Sequence, residues 1–187
     1  MNDITIIDNV INRLYQDDLE KTLLGEMSTP WYLLDDITYG KTEQLDANNY
    51  GLTHPIVPPL GNISHVYNLV LPLLYECLTR VNFKLNTIMA ARSFLQFPKL
   101  ENIINHPHVD SSIPHLVVLY YVNDSDGDTI IYNEKEHETD DLSNLTIKER
   151  VTPKKGRVAI FNGMYYHSSS SPTKDKRCII NFNVTDI

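Results

Sequence analysis

The strongest constraint on the fold lies in the second half of the chain. Five short apolar segments follow one another there with no helical pattern between them: Thr87 to Leu95, His115 to Val122, Asp128 to Tyr132, Arg157 to Phe161 and Arg177 to Val184. They are rich in Val, Ile, Phe or Tyr and are separated by Gly, Pro, Asn, Asp and Ser, the composition of strands and turns. A parallel sheet needs helical crossovers, so strands this closely spaced predict an antiparallel sandwich or barrel. In the last segment Arg177, Ile179, Asn181 and Asn183 alternate with Cys178, Ile180, Phe182 and Val184. One face of that strand is therefore core, and the other is polar enough to line a cavity.

The first half has a different period. Val10, Ile11, Leu14, Tyr15, Leu19, Leu23 and Met27 recur at three- and four-residue steps, which predicts an amphipathic helix from Asp8, as its cap, to about Met27. A second apolar stripe, from Val66 through Val70, Leu73, Leu74, Cys77 and Leu78 to Val81, predicts a helix over Ser64 to about Arg80, kinked at Pro72. Between them, Trp31 to Leu34 leads towards Thr38-Tyr39 as a strand ending at Gly40, while residues 41–61, with Pro55 and Pro58-Pro59, predict a long loop acting as a lid or rim. The acidic stretch from Asn133 to Arg150, with Glu134, Glu136, Glu138, Asp140 and Asp141, predicts a solvated loop.

With 187 residues and 42% hydrophobic content the chain is long enough for one domain, with residues 1–84 as helical support and rim and 85–187 as the strand-built core. A net charge of −8 argues against a nucleic-acid partner. The start Met1-Asn2-Asp3-Ile4-Thr5 lacks the basic and apolar pattern of a signal peptide, and no apolar run reaches membrane-spanning length, so the expected compartment is the cytoplasm. The two cysteines, Cys77 and Cys178, each stand in an apolar repeat and are expected to be buried free thiols.

Chemistry enters at His106-Pro107-His108-Val109-Asp110, two imidazoles and a carboxylate within five residues. In an extended segment residues two apart point to the same side, so His108 and Asp110 can aim at one point. Alone, an H-x-D triplet is more simply a chance pairing, and a histidine is more often a hydrogen-bonded structural residue than a ligand. Its company alters that weighing. The Pro153 to Phe161 stretch launches an apolar strand, and the next strand, beginning at Arg177, returns after a loop carrying His167. That connection lets His167 join His108 and Asp110. Two His and one carboxylate suit a non-haem iron with open coordination positions, and an arginine on the cavity face can hold a carboxylate through two parallel hydrogen bonds. Arg92, in a strand of small and apolar residues, can face the same cavity or pair at the surface, and the cavity is the expected side.

In order and spacing, His108, Asp110, His167 and Arg177, which follows His167 by ten residues, resemble the pattern of the iron(II)- and 2-oxoglutarate-dependent dioxygenases, in particular the prolyl-4-hydroxylase-like branch. The flanks resemble it too. Leu119 to Asn123 is similar to the family's Y-L-N strand end, Gly127-Asp128-Thr129 to the end of its G-G-x-T turn, and Pro153, Gly156 and Phe161 to its approach to the distal histidine. Asp126 departs from the pattern, standing where that turn usually has its first glycine. The resemblance covers roughly residues 85–185.

It implies a mainly β protein with N-terminal helices and a double-stranded β-helix core of the jelly-roll or cupin-like kind. It further implies iron(II) held by His108, Asp110 and His167, the far carboxylate of 2-oxoglutarate held by Arg177 with Tyr121 and Thr129 as supplementary contacts, and ascorbate as an auxiliary. The implied reaction couples decarboxylation of 2-oxoglutarate to succinate, using O2, with hydroxylation of a small-molecule or peptide substrate such as a prolyl or other amino-acid side chain. Two rivals remain at this point. A zinc hydrolase would use His106, His108 and Asp110, although Ser111 stands where such an enzyme has a further histidine. A jelly-roll binding module would keep the fold without turnover.

Overall fold

Both apolar stripes near the start fold as helices, α1 over Arg13–Leu24 and α2 over Tyr67–Arg80. The structure is a computed structural model describing residues 3–26, 29–37, 49–139 and 141–186. The cap of α1 is Asn12, not Asp8: the Tyr15 amide donates to Asn12 Oδ1 at 3.0 Å. Asn9, at φ 52°, turns the chain between Asp8 and the helix. Asp8 instead accepts from Arg157 Nε at 2.6 Å and Lys154 Nζ at 3.1 Å, tying the N-terminal segment to a later turn. α2 runs to Arg80 with Pro72 inside it. Its buried Val70, Leu73, Leu74, Cys77 and Leu78 form one stripe. Each fully buried leucine there contributes roughly 1.5–3 kcal/mol of transfer free energy.

Ten strands follow one another as β1 (Ile4–Ile7), β2 (Tyr32–Leu34), β3 (Gly51–Val57), β4 (Leu85–Gln96), β5 (Leu116–Tyr121), β6 (Thr129–Lys135), β7 (Ile147–Val151), β8 (Val158–Asn162), β9 (Tyr165–Ser169) and β10 (Arg177–Asp186), counted among the described residues. A seven-stranded sheet has the order β1-β8-β5-β10-β4-β3-β2, a three-stranded sheet the order β7-β6-β9, and all pairs are antiparallel. Two antiparallel sheets are what the strand spacing predicts, and their arrangement is the jelly-roll that the family resemblance implies.

The alternation read from the last strand holds. Cys178, Ile180, Phe182 and Val184 join Val118, Tyr120 and Val122 in the core that α1 and α2 cover. On the other face Ile179 joins Val117, Leu119, Tyr121, Ile131 and Phe161 between the two sheets. With both faces covered, all six residues of β5 are buried, which is why its sequence is a continuous apolar run.

Several expectations are corrected. Residues 51–57 of the predicted loop form β3, where Pro55 pairs with Arg92 beside a register shift that accommodates its missing N–H. The acidic stretch holds the end of β6, a short 3₁₀ turn at Leu142–Asn144 and strand β7. The segment bearing His167 is strand β9, not a loop. β1, pairing with β8 at the sheet edge, was not visible as a strand either. The expectations for Met27, Thr38 to Gly40, residues 41–48 and Asp140 fall outside the described residues.

Cys77 and Cys178 are free and buried, and burial pushes both thiols up to about 12, so neither is a ready nucleophile. Among the described residues no helix is long and apolar enough to cross a membrane.

Candidate metal centre and cleft

The segment 103–108 runs as an extra edge beside β9. Asn105 N donates to Ser169 O and Ser171 N to Ile103 O, each at 2.8 Å, while His108 and His167 exchange both backbone hydrogen bonds at 2.9 Å. That bridge sets the two histidines directly opposite each other, with ring centroids 4.7 Å apart. Asp110, two residues on, then reaches the same point, as extended geometry requires.

The donor atoms of His108, Asp110 and His167 lie within 4.8 Å of one another, the sole such group among the described residues. Each imidazole Nε2 stands 3.9 Å from one oxygen of Asp110, beyond hydrogen-bonding distance. Both Nδ1 atoms face backbone carbonyls, His106 O at 3.3 Å for His108 and Tyr165 O at 3.0 Å for His167. Donation from Nδ1 leaves the Nε2 lone pairs directed at the shared point, the arrangement in which ligating histidines are held. Burial opposes ionisation of Asp110, but the positive charge that His167 and His108 carry when protonated, the Arg92 charge and a hydrogen bond from Asn181 Nδ2 at 2.8 Å outweigh it, holding the carboxyl below its usual range. Two imidazole nitrogens and an ionised carboxylate fit a divalent transition metal with coordination positions to spare. His106 is exposed, turned towards the Pro107 carbonyl at 2.9 Å, and stands outside the cluster.

A cleft of about 540 Å³, including its mouth, runs between the sheets from these three residues to Arg177. Apolar walls come from Phe94, Leu119, Phe161 and Ile179. Arg177 is only 3% exposed, yet among the described residues its hydrogen-bond partners are neutral. Nε donates to Gly127 O at 2.8 Å, Nη1 to Gln96 Oε1 at 2.9 Å and Nη2 to Thr129 Oγ1 at 2.7 Å. Burial lowers its pKa, but from so high an ordinary value that the guanidinium stays charged. A buried cation whose hydrogen-bond partners are neutral, at the end of a cleft, can take an anion.

Thr129 and Tyr121 take different places around it. Thr129 lines the cleft, and its Oγ1 accepts from both Arg177 and the Tyr121 hydroxyl, the latter at 2.8 Å, so its own proton remains to be donated inward. Tyr121 stands behind, its ring centre 5.9 Å from the guanidinium carbon. Burial pushes its phenol up to about 12, which keeps it a neutral donor.

Reading the sequence missed Gln96, whose amide oxygen orients Arg177. Alternation from Phe94 would have found it, had the strand been extended one residue beyond Leu95. Asn181 was placed on the polar face without a role, and the structure bonds it to Asp110. Asp126 accepts from the Thr173 and Lys174 amides at 2.9 and 3.2 Å, so this departure from the glycine pattern fastens the loop leading into β10. Gly127 is needed for space, since a Cβ there would lie 2.8 Å from Ser170 O, 2.9 Å from Pro172 N and 3.1 Å from Arg177 Cδ. Gly127→Ala is expected to cost about 1–3 kcal/mol in chemical denaturation. It should also disturb Arg177, because the backbone must shift where its carbonyl holds the guanidinium.

No protein-family model matches the chain, and no curated protein matches it in sequence. Solved structures do match its fold. A 2OG-Fe(II) oxygenase family oxidoreductase from Burkholderia pseudomallei superposes with a TM-score of 0.66 at 9% identity, over 98% of this chain and 85% of that one. HygX from Streptomyces hygroscopicus, with nickel and 2-oxoglutarate bound, gives 0.66 at 14% identity over 98% and 83%. A prolyl-4-hydroxylase from Pseudomonas putida gives 0.60 at 12% identity over 97% and 92%. The chain thus has the fold of the 2-oxoglutarate- and iron(II)-dependent oxygenases, prolyl 4-hydroxylases among them.

Proposed function

We propose that this protein is an iron(II)- and 2-oxoglutarate-dependent dioxygenase that hydroxylates a small molecule or a peptide side chain. The observation that carries the reading is one cleft with His108, Asp110 and His167 at one end and the buried Arg177 at the other. His108, Asp110 and His167 would hold the iron. Arg177 and Thr129 would grip the distal carboxylate of 2-oxoglutarate, Arg177 as charge and fork and Thr129 through its remaining proton. Iron with 2-oxoglutarate and O2 would supply the oxidant, the keto acid leaving as succinate and carbon dioxide.

The chain's own work is orientation and exclusion. The backbone carbonyls at His106 and Tyr165 fix the histidine rings, and Asn181 fixes the carboxylate. Phe94, Leu119, Phe161 and Ile179 make walls that exclude water and present hydrocarbon to a C–H-bearing substrate. The two buried free thiols fit a reducing, cytoplasmic setting. The hydrolase alternative loses its third ligand with His106.

The test is an anaerobic titration of metal-free protein with iron(II) and then 2-oxoglutarate, followed by admission of O2. A weak visible charge-transfer band that requires both ligands and fades as succinate forms is the expected result. Tight zinc binding with no such band would transfer the site to hydrolytic chemistry. No metal binding at all would leave a binding module.

A further inference from the structure

Arg92 lies on the strand that carries two cleft-lining residues, Phe94 and Gln96, and has no part in the proposed reaction. It lies on β4 between Pro55 of β3 and Asn181 of β10 in register. Its alternation places it on the face of Phe94 and Gln96, both of which line the cleft. The residues of the opposite face, Ala91 and Leu95, are packed in the core under the helices. The guanidinium carbon stands 5.5 Å from the centre of the Phe94 ring, and the charge is felt at Asp110. Among the described residues Arg92 forms no hydrogen bond and no ion pair. It does not itself line the cleft, is only partly exposed, and has five N–H groups with no hydrogen-bond partner among the described residues.

A divalent metal and Arg177 would be balanced by Asp110 and a dianionic keto acid, leaving Arg92 as an uncancelled positive charge beside the centre. Asn181 Oδ1, opposite Arg92, is buried and likewise has no hydrogen-bond partner among the described residues. A guanidinium and an amide oxygen side by side are matched by an oxyanion whose neighbouring atom carries a hydrogen-bond donor.

We propose that Arg92 anchors an oxyanionic group, carboxylate or phosphate, of the primary substrate and so sets which carbon is presented to the metal centre. The inference rests on the dioxygenase reading of the same cleft. The Phe94 ring beneath the guanidinium and the apolar walls beyond it place the hydrocarbon part of that substrate next to its charged end.

The experiment uses protein loaded anaerobically with Mn(II) and saturating 2-oxoglutarate. The probes are hexanoate, hexyl phosphate and neutral hexanamide, followed by the relaxation of their proton signals by Mn(II), which reports both affinity and nearness to the metal. One or both anions should bind about ten-fold more tightly than the amide, the scale of a charge-assisted contact at a partly exposed site, and the favoured one names the group. Arg92→Met should erase that preference and leave the amide unchanged. Metal binding should not weaken, because the substitution removes a positive charge near a cation site. Arg92→Lys, which keeps the charge and loses the fork, should weaken hexanoate more than hexyl phosphate. Anions that bind no tighter than the amide, that are not relaxed by the metal, or that keep their advantage in Arg92→Met would overturn the assignment of Arg92 while leaving the dioxygenase reading standing. Failure of wild-type protein to load Mn(II) and 2-oxoglutarate would instead remove that reading, and the inference with it.

Discussion

Asp110→Ala is expected to lower affinity for iron(II) or Mn(II) by more than about 100-fold and to abolish succinate formation. Loss of a supporting group around a metal ligand already costs roughly 10–100-fold, and here a ligand itself is removed, the one that carries negative charge. What remains is two imidazoles held by backbone carbonyls. They still converge, but without a charge to offset the cost of dehydrating a divalent ion. The metal-free variant should fold. Its principal new defect is Asn181 Nδ2 left without its acceptor, a loss of about 1–3 kcal/mol. Titration calorimetry with Mn(II) and far-ultraviolet circular dichroism separate the two effects. A folded variant that binds metal as well as the parent protein would take Asp110 out of the ligand set.

Arg177→Met should give the complementary phenotype, with metal binding retained and the dissociation constant for 2-oxoglutarate raised by about 100-fold. A fork of charge-assisted hydrogen bonds in a buried site is worth roughly 3 kcal/mol, and about 1.4 kcal/mol corresponds to each factor of ten. Methionine fills much of the volume, but Gly127 O, Gln96 Oε1 and Thr129 Oγ1 each lose a donor. Stability should therefore fall as well, by about 1–3 kcal/mol. Arg177→Lys restores the charge but cannot reach three acceptors set around a planar fork, so it should recover only part of the affinity. Binding of 2-oxoglutarate to the Mn(II)-loaded variants reads this directly. Undiminished binding in Arg177→Met would move the cosubstrate site elsewhere in the cleft.

The two variants probe opposite ends of a cleft whose residues were legible to different degrees. The H-x-D triplet, the distant His167 and Arg177 could be named because each ligand type carries its chemistry in its side chain, and spacing is enough to pair them. The two faces of β10 could be assigned because side-chain alternation in a strand is a local property. Thr129 and Tyr121 were harder, since their parts depend on which hydroxyl stands in front of the other, and that is a matter of packing between β5 and β6. Gln96 is not legible because it lies one residue beyond the apolar run that marks β4 in the sequence.

The misread elements share a cause. β3 contains Pro55, β7 lies in an acidic stretch and β9 reads Tyr-Tyr-His-Ser-Ser, so none has the local signature of a strand. Each is held extended by a neighbour: β3 by β2 and β4, β7 by β6, and β9 by β6 on one side and the 103–108 segment on the other.

From the residues alone follow the antiparallel class, the two amphipathic helices and the donor types of the site, because hydrophobic period and side-chain chemistry are written locally. The convergence of His108 with His167, the neutral cradle around Arg177 and the placement of Arg92 beside Asn181 required the folded chain. They depend on register between segments far apart in sequence, and register is set by backbone pairing and shared burial that no single segment contains.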